Sequence, residues 1–404
     1  MNYYNQLCEM YPEKREQLWY LQYPLHHHLY AYGDHSSLSW EHHNGRYKWK
    51  ALFKFVLEKY TKGCKNTKEK TIVSDVIINF DNFKKHLVET GYNVFNLSNC
   101  LSVKSFYFLN NFVDTNFNQL LSTNCGNQLN AIKTELMFYF EKYDVRFVLL
   151  SNDALPLQRL AINVCKEMGI PSGVFLHGLP ASYSLGDNCF ADYTFVWGRQ
   201  IMKNYEEIGA KNKILISGSP KASIAKTLPG NHDKVVVISF CAGDVYDGDN
   251  TMIADRGLCV QYANSVQSVL QKTGVNHAML RVHPHEKVEW YRKFVDTNFY
   301  KLDTNGLIDT LKEASYLIGP ISSVLIDAVS HHVPFYPYLI TKEVNAHSWD
   351  EAPPYRIVDG LPVARSTEEL YNNLLNGHCV EERHLRAYYA EKFDISVITD
   401  CFKE

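Results

Sequence analysis

Two segments decide the fold class of this chain: His277-Ala278-Met279-Leu280-Arg281-Val282-His283-Pro284 and Ile318-Gly319-Pro320-Ile321-Ser322-Ser323. In the first, an apolar run that stops at His-Pro predicts a buried strand ending at the carboxyl edge of a sheet. In the second, Gly-Pro-x-Ser-Ser predicts a tight loop that opens a helix over Val324–Val329. Ligands of open α/β sheets bind at such edges, and helix N-termini bind phosphates. The two loops therefore predict a nucleotide or nucleotide-sugar site.

Strands and helices alternate outward from these segments. Apolar runs at Ile72–Phe80, Val145–Leu150 and Val235–Phe240 predict strands or buried segments, and Pro156–Met168 predicts a helix. Such alternation forms right-handed βαβ units and a parallel sheet. The periodicity breaks over Lys221–Asp233, which predicts a linker between two series. The predicted fold class is therefore α/β, with two Rossmann-like domains facing across a cleft.

The predicted domain boundary falls within this linker. Residues 1–225 would form the N-terminal Rossmann-like domain, with an aromatic-rich extension at its start, and residues 226–404 the C-terminal domain. A chain of 404 residues exceeds an ordinary single core, which agrees with two domains. Neither G-x-G-x-x-G nor a Walker A sequence occurs, so neither a dinucleotide site nor an ATP site is indicated.

The bulk composition narrows the class of protein. The 41 basic and 44 acidic residues give a formal charge of −3, which argues against a nucleic-acid partner. Ten cysteines occur without a C-x-x-C pair, and no basic-then-apolar leader follows Met1, so a cytoplasmic location with reduced thiols is expected. The basic amphipathic pattern at Arg46–Leu57 has two open interpretations: a surface helix, or peripheral association with an anionic inner membrane.

Two residues of the first series are candidates for a proton acceptor. Asp153 follows the predicted strand Val145–Leu150, where a carboxylate can take a proton from an acceptor hydroxyl. Its alternative role is to cap the next helix. His177 precedes Gly178 at the end of the next apolar run, and an imidazole exchanges a proton near neutral pH. A structural, hydrogen-bonded histidine is the alternative there.

The second series supplies candidates for a phosphate site. Because side chains alternate along a strand, Arg281 and His283 share a face of the predicted strand. Both can then meet a phosphate, with arginine offering its bidentate fork. His283 and Pro284 end the strand, and Glu286 beyond them is a candidate contact for the base, the ribose or the acceptor. An ordinary strand terminus is the alternative.

A second group of phosphate candidates lies in the Gly-Pro-x-Ser-Ser loop. Gly319 begins this loop, and Ser322 and Ser323 stand at the start of the predicted helix. Their hydroxyls and backbone N–H groups can bind a phosphate together, although capping alone also selects serine. Together with Arg281 and His283, these groups supply a positive field, so no metal and no other cofactor is predicted.

Over roughly Asp153 to Pro337 the chain resembles bacterial capsule and surface-polysaccharide transferases of the two-Rossmann (GT-B) type. The resemblance rests on the order of several short motifs. These are Asp-x-x-Pro-x-x-Arg at Asp153–Arg159, Gly-Ile-Pro at Gly169–Pro171, His-Gly at His177–Gly178, Val-Trp-Gly at Val196–Gly198, Ser-Gly-Ser-Pro at Ser217–Pro220, His-Pro at His283–Pro284 and Ser-Ser at Ser322–Ser323.

Within that group, the His-Pro and Ser-Ser motifs are similar to those of sialyltransferases and Kdo-type capsule transferases, which use CMP-activated sugar acids. The resemblance implies that His283 and Ser322 or Ser323 contact the CMP phosphate. Those sialyltransferases carry Asp/Glu-Asp/Glu-Gly where this chain has Asn152-Asp153-Ala154. The His177–Gly178 pair is also similar to that of CDP-glycerol glycerophosphotransferases, where the histidine is the base.

The resemblance therefore implies a metal-independent glycosyltransferase. It would move a nonulosonic or Kdo-like acid from CMP to a glycan or glycolipid, in capsule polysaccharide or lipopolysaccharide synthesis. Residues 1–225 would bind the acceptor and 226–404 the nucleotide-sugar donor. Three alternatives stay open: a CDP-glycerol or ribitol-type phosphotransferase, an enzyme of UDP-sugars, and a non-catalytic scaffold of glycan assembly.

Overall fold

The computed structural model describes the parts of the chain that build two parallel sheets. The described residues are 3–21, 52–57, 59, 70–76, 83–89, 91–113, 125–176, 189–207, 209–220, 228–239, 256–283, 286, 288–340, 361–386 and 393–402.

The first sheet has six parallel strands in the order β2-β1-β3-β4-β5-β6. The strands are β1 (Thr71–Ser74), β2 (Asn93–Phe95), β3 (Val145–Leu150), β4 (Ser172–Phe175), β5 (Tyr193–Val196) and β6 (Lys213–Ile216). Because all neighbours are parallel, all six strands end at one edge. The chain moves from β1 to β2 on one side and resumes with β3 on the other. The winding thus reverses between β1 and β3, and this gap is the first switch point.

Helices accompany this sheet, and the sequence marks both ends of one of them. They are α1 (Tyr3–Met10), α2 (Arg15–Tyr20), α3 (Phe83–Glu89), α4 (Val103–Val113), α5 (Gly126–Lys142), α6 (Pro156–Met168) and α7 (Arg199–Glu207). In α6, Pro156 occupies the first turn, where its missing N–H costs no hydrogen bond. Gly169 ends α6 in the left-handed conformation, with φ of 68°.

The second sheet has five parallel strands in the order β11-β10-β7-β8-β9. The strands are β7 (Lys234–Ile238), β8 (Ala278–Arg281), β9 (Tyr300–Asp303), β10 (Ala314–Gly319) and β11 (Phe335–Pro337). The helices that accompany them are α8 (Arg256–Lys272), α9 (Val288–Phe294), α10 (Leu307–Glu313), α11 (Val324–Ser330) and α12 (Thr367–Asn376). The winding reverses between β7 and β10, which is the second switch point. Both sheets are doubly wound, so the predicted fold class, α/β with two Rossmann-like units, is confirmed.

The end of the chain returns to the first sheet. It contains α13 (Glu382–Leu385), α14 (Ser396–Thr399) and a 3₁₀ turn at Asp400–Phe402. The Phe402 ring lies 4.8 Å from the Phe147 ring of β3, between centroids, and the Asp394 N–H donates to the Ser217 carbonyl at 3.0 Å. The predicted boundary at 225/226 falls between β6 and β7. Residues 393–402, which that prediction assigned to the second domain, pack on the first sheet.

None of the helices in the described ranges combines the length and the apolar character that crossing a bilayer requires. The predicted amphipathic segment Arg46–Leu57 lies mostly outside the described residues.

Candidate functional site

A carboxylate bridges the first switch point. Asp75 directly follows β1, and Ser151 directly follows β3. The Asp75 Oδ1 accepts from the Ser151 N–H at 2.6 Å, and its Oδ2 accepts from the Ser151 hydroxyl at 3.0 Å. Gln158 of α6 donates its Nε2 to the same Oδ2 at 2.7 Å. Three donors thus fix this carboxylate where the winding of the sheet reverses.

The charge of Asp75 has no cationic partner among these donors, because Ser151 and Gln158 are neutral. Asp75 is half-buried, and desolvation raises the pKa of its carboxyl above the ordinary 3.8, against the hydrogen bonds, which lower it. The sequence pattern did not single out Asp75, because the predicted strand Ile72–Phe80 runs through it. The signal available was an acidic residue inside an apolar run, where a four-residue strand ends.

Asp153, predicted as a proton acceptor, is fully buried behind this edge. Its Oδ2 accepts from the Phe190 N–H at 2.7 Å. Burial raises the pKa of Asp153 to about 7, although the Phe190 hydrogen bond and the positive charge of Arg159 lower it. The alternative role as a cap is wrong, because the N-cap of α6 is Leu155 and no side chain caps this helix. The Oδ1 of Asn152 accepts from the N–H groups of Ala154 and Leu155, in the turn before the helix.

Arg159 joins Asp153 to the start of the chain. Its Nε donates to the Asp153 carbonyl at 3.2 Å, and its Nη1 donates to the Trp19 carbonyl. The guanidinium lies over two aromatic rings, 5.0 Å from the centroid of Trp19 and 4.7 Å from that of Phe190. The two ends of the Asp-x-x-Pro-x-x-Arg motif therefore tie α2 and residues 189–190 to α6. These contacts give both residues a structural role, but the buried Oδ1 of Asp153 accepts no hydrogen bond from the described residues. The catalytic role of Asp153 stays a prediction. His177, the other predicted acceptor, lies outside the described residues.

At the second sheet, a buried glutamate orders the His-Pro turn. Glu286 accepts at Oε2 from the Ser239 hydroxyl at 2.5 Å and from the His283 N–H at 3.1 Å. Its Oε1 accepts from the Tyr291 hydroxyl at 2.6 Å. Ser239, which follows β7, also accepts from the His283 N–H at 3.0 Å. Both carboxylate oxygens are thus bonded within the protein, while His283 stays exposed at the end of β8. Pro284 lies outside the described residues.

The guanidinium of Arg281 is bonded to the end of the neighbouring strand β9 and to the residues after it. Its Nη1 donates to the Asn305 carbonyl at 2.7 Å, to the Thr310 hydroxyl at 2.8 Å and to Oδ2 of Asp303 at 3.3 Å. The Asp303 side chain is completely buried, and that of Arg281 is 13% exposed. The arginine therefore neutralises a buried acid of β9, and its predicted contact with a phosphate stays a prediction.

The predicted loop residues stand at the second switch point. Gly319 ends β10, where a Cβ would lie 3.0 Å from the Cβ of Ile238 in β7, closer than an ordinary van der Waals contact. The Ser322 Oγ is buried and has no hydrogen-bond partner among the described residues. Ser323 is the N-cap residue of the seven-residue α11, yet its side chain makes no capping bond. Capping therefore does not account for this pair of serines.

The described residues contain no group of three or more His, Cys, Asp or Glu that could hold a metal ion. The predicted independence from metals and cofactors stays a prediction.

The chain is similar to known proteins in its backbone fold only. No protein-family model matches the chain, and no curated protein matches it. Among solved structures it is similar to MurG of Acinetobacter baumannii, at 10% identity and a TM-score of 0.49, over 83% of this chain and 99% of that one. It is also similar to a putative UDP-N-acetylglucosamine 2-epimerase from Listeria monocytogenes, at 10% identity and a TM-score of 0.49, over 83% and 96% of the chains.

A third similar structure is a variant of the wall teichoic acid polymerase TagF, at 11% identity and a TM-score of 0.45, over 88% of this chain and 92% of that one. Identities and TM-scores this low indicate a similar fold and nothing about the function.

Proposed function

We propose that this chain is a GT-B type glycosyltransferase that uses a nucleotide-sugar donor. One observation carries the proposal: each of the two doubly wound sheets has polar side chains at its switch point. Asp75 and Ser151 occupy the first, and Ser239, with the His283 turn beside it, occupies the second. Ligands of such sheets bind at these points. A glycosyltransferase binds a donor and an acceptor, and in this proposal each switch point binds one of them.

The donor is bound by the second unit in this proposal. The exposed imidazole of His283, whose backbone N–H donates to Ser239 and Glu286, supports a contact with a phosphate oxygen. The buried Ser322 hydroxyl, which follows β10 on the other side of β7, supports a second polar contact. Together with the His-Pro and Ser-Ser motifs, these groups favour a CMP-linked nonulosonic or Kdo-like acid as the donor. The acceptor is a glycan or glycolipid of capsule polysaccharide or lipopolysaccharide, and a glycolipid would bring the protein to the inner membrane.

The proposal is tested by the melting temperature of the protein with CMP, CDP, UDP and GDP, without added metal. A ligand at about 100 times its Kd stabilises by roughly 2.7 kcal/mol, which shifts the melting temperature measurably. CMP should stabilise the wild type, and His283→Ala should lose the response. His277→Ala is the matched control, because His277 is exposed at the opposite, amino end of β8. It should keep the response.

Other outcomes separate the alternatives. A response to CDP with turnover of a CDP-alcohol would identify a phosphotransferase, and a preference for UDP would exclude the cytidine donor. No response to any nucleotide would favour the non-catalytic scaffold.

A further inference from the structure

We infer that Asp75 is the proton acceptor of the transfer reaction, taking the proton of the acceptor hydroxyl as that hydroxyl attacks the donor. This inference rests on the proposed glycosyltransferase function, and it assigns the base to a residue that no sequence motif marks.

Asp75 lies at the first switch point. In the strand order β2-β1-β3-β4-β5-β6 the winding reverses between β1 and β3, and Asp75 and Ser151 are the residues that follow these two strands. Ligands of doubly wound sheets bind at this point. Asp75 therefore stands where the first unit should receive its substrate.

The carboxylate of Asp75 has a fixed orientation. Ser151 and Gln158 hold the carboxylate at 2.6 to 3.0 Å, so its orientation is fixed without a cation. The charged residues of the adjoining loop and helix, Asp153 and Arg159, contact each other. All three acids, Asp75, Asp153 and Glu286, accept hydrogen bonds from neighbouring groups, but Asp75 is half-buried whereas the other two are buried. Of these three acids, Asp75 alone combines a fixed orientation with partial exposure at the edge.

The raised pKa agrees with this role. Desolvation makes the carboxylate of Asp75 a stronger base than an exposed aspartate, and a base works best when its pKa approaches the operating pH.

A purely structural bridge is the rival explanation, and the same sheet contains one. Asp192 precedes β5, and its Oδ2 accepts from the N–H and the hydroxyl of Ser172, at 2.8 and 2.9 Å. This pair repeats the Asp75–Ser151 contact at the amino edge, opposite to the edge where ligands bind. Asp192 is thus the matched control for the bridge without the catalysis.

The sugar transfer is a single displacement at the anomeric carbon of the donor. The hydroxyl oxygen forms a bond to the anomeric carbon of the donor while its O–H bond breaks and the proton passes to a carboxylate oxygen of Asp75. The bond from the anomeric carbon to the phosphate oxygen breaks, and its electron pair leaves on the nucleotide. Asp75 then returns the proton to water. Such a displacement inverts the anomeric carbon, so a product of retained configuration would contradict the inference.

The test compares kcat and kcat/KM across the pH range for the wild type, Asp75→Asn and Asp192→Asn. Asp75→Asn should lower kcat by about 10²–10⁴-fold, remove the acid limb of the profile and leave stabilisation by the nucleotide unchanged. Asp192→Asn should keep both kcat and the limb. Retention of wild-type kcat and of the acid limb by Asp75→Asn would overturn the inference while the transferase function stands. Absence of transfer by the wild type from any donor would overturn both.

A second variant covers the case in which Asp75→Asn does not fold. The Gln158 hydrogen bond lowers the pKa of Asp75, so Gln158→Ala should move the acid limb to higher pH. A limb that stays in place in Gln158→Ala would contradict the assignment.

Discussion

The two units hold their acids in opposite ways. In the first unit, Asp75 is half-buried and bonded by neutral groups, and Asp153 is fully buried with its pKa raised to about 7. In the second unit, Glu286 accepts three hydrogen bonds, and Asp303 is neutralised by Arg281. The first unit thus keeps carboxylates whose negative charge is opposed by burial. In the second unit, Glu286 and Asp303 take part in bonds that fix loops. The His283 imidazole is exposed there, and the Ser322 hydroxyl has no hydrogen-bond partner among the described residues. This difference fits a proton acceptor on one side and an anion site on the other.

The largest expected effect concerns the pH dependence that the first unit imposes. Because the folded state raises the pKa of Asp153 from 3.8 to about 7, the folded state binds the proton more tightly than the unfolded chain. The stabilisation by this group is therefore complete below the unfolded pKa and is lost as pH rises toward 7, by on the order of 4 kcal/mol. Asp153→Asn should gain stability relative to the wild type over this window, as measured by urea unfolding.

The control for that measurement is Asp192→Asn, which changes an exposed acid of the same sheet. The difference in unfolding free energy between Asp153→Asn and the wild type should vary with pH. A constant difference would contradict the raised pKa of Asp153, and with it the contrast between the two units.

The next effect tests how the second unit uses Glu286. Glu286→Ala leaves the buried hydroxyl of Tyr291, the Ser239 hydroxyl and the His283 N–H without their shared acceptor. The unfolding free energy should fall by about 3 kcal/mol. Glu289→Ala, which removes an exposed partner of Arg292, should change it little. Equal effects would show that Glu286 does not order the turn.

A smaller loss is expected from the ion pair of the second sheet. Arg281→Gln leaves the buried Asp303 without its cation, and the unfolding free energy should fall by about 2 kcal/mol. The matched control is Lys234→Gln, because the Lys234–Glu313 pair joins strand β7 to α10 in solvent. That variant should unfold like the wild type. An equal loss in both variants would contradict the distinction between buried and exposed pairs.

The smallest effect concerns the packing of the second switch point. Gly319→Ala forces a Cβ to within 3.0 Å of Ile238 and 3.1 Å of the Phe335 ring. Overpacking of this kind should cost about 1 to 2 kcal/mol. Gly306→Ala is the control, since its Cβ would meet only Asp309 Oδ2, at 3.5 Å. Thermal unfolding measures both, and a tolerated Gly319→Ala would show that the strands can separate without loss.

Local signals in the sequence predicted the regular elements well where the pattern was strong. β3 and α6 have the predicted bounds, because an apolar hexamer marks the strand while Pro156 and Gly169 mark the helix ends. β9 (Tyr300–Asp303) was not predicted. It is an edge strand with one neighbour, so its residues need not form an apolar run.

The candidate site followed from the sequence only in part. His283 and the serine pair lie at strand ends, as the His-Pro and Gly-Pro-x-Ser-Ser patterns indicated. The sequence did not predict that Asp153 is buried while Asp75 is half-buried, because both acids come after short apolar runs. Only their surroundings separate a buried acid beside Arg159 from a half-buried acid between two strands.

The sequence by itself determined the α/β class, the strand ends at which polar residues would gather, and the absence of a dinucleotide or ATP motif. These properties depend on periodicity and on residues close together in the chain. The tertiary structure alone decided the strand order, and with it the two switch points. It also decided which acids are exposed and which are bonded inside the protein. Asp75 and Ser151 are 76 residues apart, and their contact exists because β1 and β3 pack side by side, which no local pattern encodes.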